Sequence, residues 1–310
     1  MTGPDRQAAD AARRWLALAR QGEFRAAWEV SDRIRAATPV FGDASRPRHQ
    51  QVLWNGSPVS GRHVLVRCYH GLGDTIQFAR YLPQLRARAA RVTVWAQDAL
   101  LPLLQTMPVD VHWLPLHDGD PGVAADVDVE IMELAHVFRS TVDTIPNAVP
   151  YLHVAPLPVP ASPRPRIGVI WRAGEWDRER SLPFSALTPL LDDERLEWYS
   201  LQHRPDSRER HPRLRCLSVA DLVSTARMMR ALDVVMTVDT MGAHLAGALG
   251  VTTWTLLRRH ADWRWLEARD DSPWYPTMHL FRQRVEGQWD AVLAEVQAAL
   301  QPSARNRSSG

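Results

Sequence analysis

Two short stretches of the sequence place a carboxylate where a strand would pass into a helix. The first is HGLGDT (70–75), in which Gly71 and Gly73 let the backbone turn sharply and let a ligand come close. Asp74 would then lie at the N-terminus of the next helix, where a carboxylate can cap backbone N–H groups. The same place suits a general base that takes a proton from an acceptor hydroxyl. The local sequence leaves both interpretations open.

The second stretch, DVVMTVDTMGAHLAGALG (233–250), combines a buried strand with a helix that begins at once. Asp239 and Thr240 occupy the expected N-cap, and Gly250 the expected C-cap. Such a corner at a sheet edge is a common anion site, where Asp239 could accept from a ribose hydroxyl and His244 could point to the same place. The alternative is an ordinary strand–helix corner with a capping aspartate.

A third stretch, WRAGEWDRERSLP (171–183), is rich in forked cations. Arg172, Arg178 and Arg180 offer planar donors that suit a diphosphate. Ser181 could bind phosphate or cap the following helix. The alternative is a solvated loop whose arginines are balanced by its own acidic residues.

Two further segments have side chains that could contact a ligand. Gln202, at the end of SLQ (200–202), could bond to the edge of a nucleotide base or serve as a strand-end amide in a turn. DWRWL (262–266) and DSPWYP (271–276) alternate aromatic and charged groups. Such a surface can stack on a sugar ring, or it can form a buried tryptophan clamp.

Composition excludes several classes of chemistry. The 310 residues are enough for two α/β domains, and a net charge of +2 does not indicate nucleic acid as a partner. The sequence has no lysine, which excludes a Schiff-base lysine and a Walker lysine. The twelve histidines show no HxxxH or HExxH spacing and there is no CxxC, so no metal site and no cofactor is predicted.

The cysteines and the absence of a long apolar run bear on location. Cys68 and Cys216 both lie in apolar, strand-like segments and are predicted to be buried, reduced thiols. No signal peptide and no membrane-length apolar span is visible. We therefore expect a cytoplasmic protein, or one that is peripheral at the inner membrane.

The N-terminal region is predicted to be a helical pair. Residues 8–39 show helical spacing of apolar residues, with Gly22 at the turn. The pair resembles one tetratricopeptide repeat, with Gly22, Ala27 and Pro39 at matching positions. A single repeat cannot bury its own face, so it must pack on the next domain, on another chain or on a partner. We assign residues 1–45 to it.

After this pair, predicted strands and helices alternate, which indicates Rossmann-like parallel sheets. Strands are predicted at 51–56, 63–69, 92–96, 109–114, 127–132, 166–171, 196–202, 214–219, 234–238, 251–257 and 279–283. Helices are predicted at 76–89, 99–107, 184–191, 219–231, 241–249 and 289–300. The proline-rich run 156–165 is the best linker, so we predict an amino-terminal domain at 46–155 and a carboxyl-terminal domain at 156–302. A disordered tail is predicted at 303–310.

Together these blocks resemble the glycosyltransferases of family 9, the heptosyltransferase-like group, and more closely the transferase domain found behind tetratricopeptide repeats. The matching segments are GLGDTIQFARYLPQL (71–85), DTIPNAVPYL (143–152), RIGVIW (166–171), RSLP (180–183), SLQ (200–202), VDTMGAHLAGALG (238–250) and the segments at 262–276. The resemblance implies an α/β fold of GT-B architecture, with two Rossmann-like domains facing across a cleft. It also implies metal-independent, inverting transfer from a nucleotide-diphosphate sugar.

The resemblance implies roles for particular residues. Asp74 becomes the candidate catalytic base, and Gly71, Gly73 and Gln77 lie on the acceptor side. The implied donor-site residues are Arg172, Arg180, Ser181, Gln202, Asp239, Thr240, Gly242 and His244. Two features depart from the family pattern: WRAGEWD replaces a small-polar loop of the type W-S-G-N-P, and the usual phosphate lysine has no counterpart.

The partners implied are a nucleotide-diphosphate sugar and a glycan, lipid-linked or protein acceptor. The helical pair could add a protein partner or self-association. Two other functions remain open at this point. One is a non-catalytic protein of the same fold that docks partners through its helical pair, and the other is a nucleotide-sugar 2-epimerase.

Overall fold

The computed structural model describes residues 3–216 and 221–300. The start of the helix predicted at 219–231, the end of the strand predicted at 214–219 and the predicted tail at 303–310 lie outside the described residues. Two all-parallel sheets form the body of the protein. In the chain, one precedes and the other follows the irregular stretch 156–165. This agrees with the α/β fold class expected from the alternating pattern.

The first sheet has four parallel strands in the order β3-β2-β1-β4. Its strands are β1 (His63–Arg67), β2 (Arg91–Ala96), β3 (His112–Pro115) and β4 (Val127–Glu130). The second sheet has six parallel strands, and β5 and β8 pair at its centre. These strands are β5 (Arg166–Ile170), β6 (Glu197–Ser200), β7 (Leu214–Cys216), β8 (Val234–Val238), β9 (Thr253–Leu257) and β10 (Met278–Arg282).

Ten α-helices lie within the described ranges. They are α1 (Gly3–Arg20), α2 (Phe24–Ala36), α3 (Leu72–Phe78), α4 (Leu82–Arg88), α5 (Leu101–Leu104), α6 (Leu134–Val137), α7 (Phe184–Leu191), α8 (Leu222–Met229), α9 (Met241–Ala248) and α10 (Trp289–Leu300). None of the helices in this described part of the chain has both the length and the apolar character needed to span a bilayer.

Three expectations about local structure were wrong. The stretch 51–56 forms no strand. The helix predicted at 76–89 is divided by a 3₁₀ turn at Ala79–Tyr81, because Pro83 has no N–H to donate to the carbonyl of residue 79. Cys68 is buried as expected. Cys216 is exposed, because it lies in β7, which is an edge strand of the second sheet.

The N-terminal helices α1 and α2 belong to the same hydrophobic core as both sheets. Gly22, with a φ of 80°, makes the turn between them. Phe24 and Trp28 are buried in a core that also contains Val64 of the first sheet and Leu257 of the second. The expected helical pair is therefore present and buries its inner face within this chain. Its tetratricopeptide character remains a prediction.

Candidate active site

A single large cleft, with a volume of about 1720 Å³, contains most of the residues singled out in the sequence. Its walls come from the turn between β1 and α3, from the loop after β5 and from the turn between β8 and α9. The predicted residues that line it are Gly71, Gly73, Asp74, Arg172, Arg180, Ser181, Gln202, Asp239, Thr240, Gly242 and His244. The carboxylate of the first turn thus faces the same space as the start of α9.

Asp74 is held by two contacts and remains open to the cleft. One carboxylate oxygen, Oδ2, accepts from the backbone N–H of Gly71 at 2.9 Å. The other, Oδ1, forms an ion pair with Arg264. The side chain keeps 24% of its surface exposed. Asp74 therefore contributes to capping α3 and also faces the space where a substrate hydroxyl could lie, so the two interpretations of this residue are compatible.

Arg264 was missed as a site residue. It is buried, it lines the cleft and it also pairs with Asp262 at 2.8 Å. Burial by itself would lower the pKa of this guanidinium, but the carboxylates of Asp262 and Asp74 more than offset that effect, and the pKa is raised above its usual value. The one signal in the sequence was an arginine between two tryptophans in a segment of alternating aromatic and charged residues.

The first turns of α3 and α9 approach each other closely, and Gly73 permits this. A Cβ atom at Gly73 would lie 2.9 Å from Cδ2 of His244 and 3.3 Å from the backbone Cα of Met241. Gly242 permits a second close approach, because its Cβ would lie 2.3 Å from the side chain of Ile170 in β5. These glycines bring the two turns to opposite sides of a narrow junction.

Thr240, rather than Asp239, caps α9. The Thr240 hydroxyl accepts from the backbone N–H of Gly242 at 3.1 Å. Asp239 is buried, and its Oδ2 has no hydrogen-bond partner among the described residues. The pKa of Asp239 is raised to about 6, first by burial and then by the charge of Asp262, while Arg180 at 3.8 Å opposes the shift. A buried carboxylate of this kind is suited to accept hydrogen bonds from a ligand.

His244 is a neutral imidazole at the base of the cleft. Its Nδ1 lies 3.0 Å from the Tyr275 hydroxyl, and its ring stacks on Trp265 with centroids 5.3 Å apart. Burial lowers the pKa of His244 well below its usual value, and the positive charges of Arg264, Arg80 and Arg180 lower it further. This residue can donate or accept a hydrogen bond in the cleft without carrying charge.

Three of the predicted donor-site residues that line the cleft also make contacts within the protein. The Arg172 guanidinium pairs with Glu209 at 2.9 Å and donates to the carbonyl of Arg204 at 2.7 Å. Oε1 of Gln202 accepts from the backbone N–H of Arg172 at 2.9 Å, as expected for a strand-end amide. The Ser181 hydroxyl accepts from the backbone N–H of Ala173 at 3.0 Å. These contacts shape the loop after β5.

Arg180 and Arg178 differ in how they are placed. Arg180 is largely buried beside Asp177 at 3.3 Å and Asp239 at 3.8 Å, so it is already near the turn at the start of α9. Arg178 is 74% exposed and pairs only loosely with Glu175 at 3.2 Å. Of the forked cations in this loop, these two are the better placed to contact a diphosphate.

One expectation about side-chain placement needs correction, and one pair of open alternatives is decided. Gln77, predicted on the acceptor side, is fully buried and does not line the cleft, because it lies on the inner face of α3. Trp263, Trp265 and Trp274 are also buried, so they act as a clamp and not as a sugar-stacking surface. The clamp packs against the N-terminal helices: the ring centroids of Trp263 and Trp15 are 5.2 Å apart.

Titratable groups elsewhere along the cleft do not form a metal site. Within residues 3–216 and 221–300, no group of three or more His, Cys, Asp or Glu side chains is arranged to hold a metal ion. His70, on the first-sheet side, lies 3.0 Å from the buried carboxylate of Glu130. Burial opposes protonation of this imidazole, but Glu130 and the nearby Asp74 raise its pKa overall.

Comparison with known proteins gives one sequence relative and several fold relatives. No protein-family model matches the sequence. The chain is similar to Protein FlbA of Caulobacter vibrioides, with 25% identity over 323 residues, covering 92% of this chain and 53% of that protein. The chain thus spans about half the length of this curated relative.

The fold relatives are solved structures with low sequence identity. A family 9 glycosyl transferase from Veillonella parvula has a TM-score of 0.55 and 11% identity, covering 81% of this chain and 93% of that chain. E. coli heptosyltransferase WaaC with ADP-2-deoxy-2-fluoro heptose has a TM-score of 0.52 and 12% identity, with coverages of 76% and 99%. E. coli ADP-heptose lps heptosyltransferase II has a TM-score of 0.51 and 16% identity, with coverages of 76% and 98%.

These similarities establish the fold. The chain has the two-sheet α/β architecture of family 9 glycosyltransferases, as the resemblance in the sequence implied. At 11–16% identity they show the fold alone.

Proposed function

We propose that the chain is an inverting, metal-independent glycosyltransferase that moves a sugar from a nucleotide-diphosphate donor to an acceptor hydroxyl. The observation that carries the proposal is the shared cleft, in which Asp74 faces the start of α9. The roles assigned to the cleft residues below are part of this proposal.

The donor diphosphate lies over the N-terminus of α9. The positive end of a helix dipole favours an anion there, and Arg180 adds a nearby cation. Asp239 and His244 hold hydroxyl groups of the donor through hydrogen bonds. Two of the fold relatives are described with ADP-heptose or an analogue of it, which supports a nucleotide-sugar as the donor class.

The transfer step requires one base and stabilisation of one leaving group. Asp74 takes the proton of the acceptor hydroxyl while that oxygen forms a bond to the anomeric carbon of the sugar. The bond from the anomeric carbon to the diphosphate breaks on the opposite face, and the electron pair leaves with the nucleoside diphosphate. The helix dipole and Arg180 offset the negative charge that develops on the leaving group.

The test has two stages. Thermal-shift measurements with ADP-, GDP-, UDP- and dTDP-sugars identify the donor, since a ligand that binds only the folded state raises its melting temperature. Turnover of that donor, followed as release of nucleoside diphosphate, is then compared between wild type and Asp74→Asn. We expect turnover to fall by about 10²–10⁴-fold, the usual contribution of a general base, with little change in donor affinity.

Three results would contradict the proposal. If no donor stabilises the protein, a non-catalytic role for this fold is favoured. If the donor is converted to an epimer without any acceptor, the chain is a nucleotide-sugar epimerase. If Asp74→Asn turns over donor at the wild-type rate, Asp74 is not the base.

A further inference from the structure

Arg264 links the two sheets at the reacting centre. It follows the second sheet's strand β9 in the chain, whereas its partner Asp74 follows the first sheet's strand β1. Only 8% of Arg264 is exposed, and its Nη2 atom also lies 3.9 Å from the sulfur of Met132. The candidate base is therefore held by a cation from the opposite wall of the cleft.

The position of Arg264 is fixed by its own segment. Asp262 accepts from both the backbone N–H and the guanidinium of Arg264, at 3.0 and 2.8 Å. The Trp274 indole donates to the carbonyl of Arg264 at 2.9 Å. The guanidinium carbon lies 5.2 Å from the centroid of the Trp263 ring and 5.7 Å from that of Phe78, within the range of cation–π attraction. This leaves the side chain little freedom.

The N-terminal helices hold this segment from outside. The rings of Trp15 and Phe24 pack edge-on against Trp263, with centroids 5.2 and 5.8 Å away. On the other side of Arg264, Trp265 is fully buried against His244. A chain of direct contacts thus runs from α1 and α2 through Trp263 to Arg264 and then to Asp74.

We propose that Arg264 is a positioning residue that fixes the Asp74 carboxylate toward the acceptor, and that the N-terminal helical pair keeps Arg264 in place. This inference rests on the proposed function for its effect on turnover. Gly71 and Arg264 each bind a different carboxylate oxygen of Asp74, so both oxygens are oriented while lone pairs remain for an incoming hydroxyl. Without Arg264 the carboxylate loses both its orientation and its cationic partner.

The main experiment compares Arg264→Gln and Arg264→Lys with the control Arg282→Gln. Arg282 donates to the carbonyls of Trp265 and Leu266 and does not line the cleft, so its loss disturbs the same segment without touching Asp74. We expect Arg264→Gln to lower kcat on the order of 100-fold, the effect of misplacing a reacting group by about 1 Å, with a smaller change in the KM of the donor.

Two readouts separate positioning from general damage. In Arg264→Gln kcat should fall by more than the KM of the donor changes, because a misplaced base affects the transfer step more than donor binding. Arg264→Lys should recover part of the rate, since it restores the charge without the forked geometry. Arg282→Gln should lower the melting temperature and leave kcat and the KM of the donor close to the wild-type values.

A double-mutant cycle gives a readout that does not need turnover. Urea midpoints of Asp74→Asn, Arg264→Gln and the double variant should be non-additive, since each single change already breaks the pair. Non-additive midpoints support the positioning even if wild type turns over no donor, and that second result would overturn only the proposed function. Additive midpoints, or an unchanged kcat in Arg264→Gln, would overturn the inference itself.

Discussion

Two turns in this molecule join a parallel strand directly to a helix, and each contributes one aspartate to the cleft. At the junction of β1 and α3, Asp74 lies in the first turn of the helix, is partly exposed and is paired with Arg264. In the turn between β8 and α9, Asp239 is buried, and its Oδ2 atom has no hydrogen-bond partner within the described ranges. Similar local sequences have thus placed two carboxylates in different surroundings.

The difference comes mainly from the burial of Asp239 and, beyond that, from one distant segment. Arg264 is directed at Asp74 and supplies a cation, whereas the neighbouring Asp262 places a like charge near Asp239 and helps to raise its pKa. A carboxylate that is partly exposed to the cleft can serve as a base. A buried carboxylate without a full set of partners destabilises the fold until a ligand donates to it. In the proposed function, the first turn provides the base and the second binds the donor.

The largest effect on stability that tests this comparison is expected for Asp239→Asn. The pKa of Asp239 is raised from 3.8 to about 6, so the folded protein binds more protons than the unfolded chain between these values. The destabilisation that the ionised Asp239 carboxylate causes in the wild-type protein is therefore small below about pH 4. It grows as the pH rises and is complete above about pH 6. At pH 7 we expect Asp239→Asn to raise the free energy of unfolding by about 2–3 kcal/mol.

Urea unfolding of wild type and Asp239→Asn between pH 4 and pH 8 measures this, with Asp74→Asn as the matched variant. Asp74→Asn should instead lower stability by about 1–3 kcal/mol, because it removes one of the two carboxylates that pair with a buried guanidinium. If both variants change stability in the same direction at pH 7, the electrostatic contrast between the turns is wrong.

A second test moves the two turns apart. In Gly73→Ala the new methyl group would lie 3.3 Å from the backbone of Met241, which cannot move independently of α9. We expect a loss of about 1–3 kcal/mol from overpacking, together with reduced donor turnover, because the two aspartates would no longer share one narrow junction. Urea unfolding and nucleoside diphosphate release measure the two effects.

The control for this test is Gly119→Ala, in an exposed loop where the new methyl group would meet only the exposed His117 side chain. It should change the free energy of unfolding by no more than about 0.5 kcal/mol. Equal losses in the two variants would show that the close approach of α3 and α9 is not important for stability.

The sequence predicted the elements better than the contacts made between them. The bounds of α7 and α10 agree with the predicted helices, and the buried strands of both sheets were visible as apolar runs. Asp74 and Asp239 were visible too, because each stands at a strand–helix corner. These features depend on residues close together in the chain, where periodicity and capping preferences act.

What the sequence could not show was which charged groups are already paired. Arg264 bonds a residue 190 positions earlier in the chain, and Arg172 is held by Glu209, 37 positions away. In the sequence alone, an arginine in a loop looks equally suited to bind a phosphate whether or not it forms an ion pair with a distant carboxylate. Only the packing of the two sheets and the N-terminal helices decides this, so Arg264 was missed as a site residue and the pairing of Arg172 with Glu209 was not foreseen.

The smallest effect on stability is expected for Arg178→Ala, in the loop that faces the second turn. Arg178 and Glu175 are both highly exposed, and such a pair contributes less than about 0.5 kcal/mol. Any loss of donor affinity in this variant would then come from a lost ligand contact and not from damage to the fold.

Arg172→Ala is the matched variant, because its pair with Glu209 is more buried and its loss should lower stability by about 1–3 kcal/mol. Urea midpoints and donor titrations of the two variants measure this difference. A stability loss in Arg178→Ala as large as that in Arg172→Ala would mean that the exposed arginine holds the loop, and the contrast between paired and available cations around the second turn would fail.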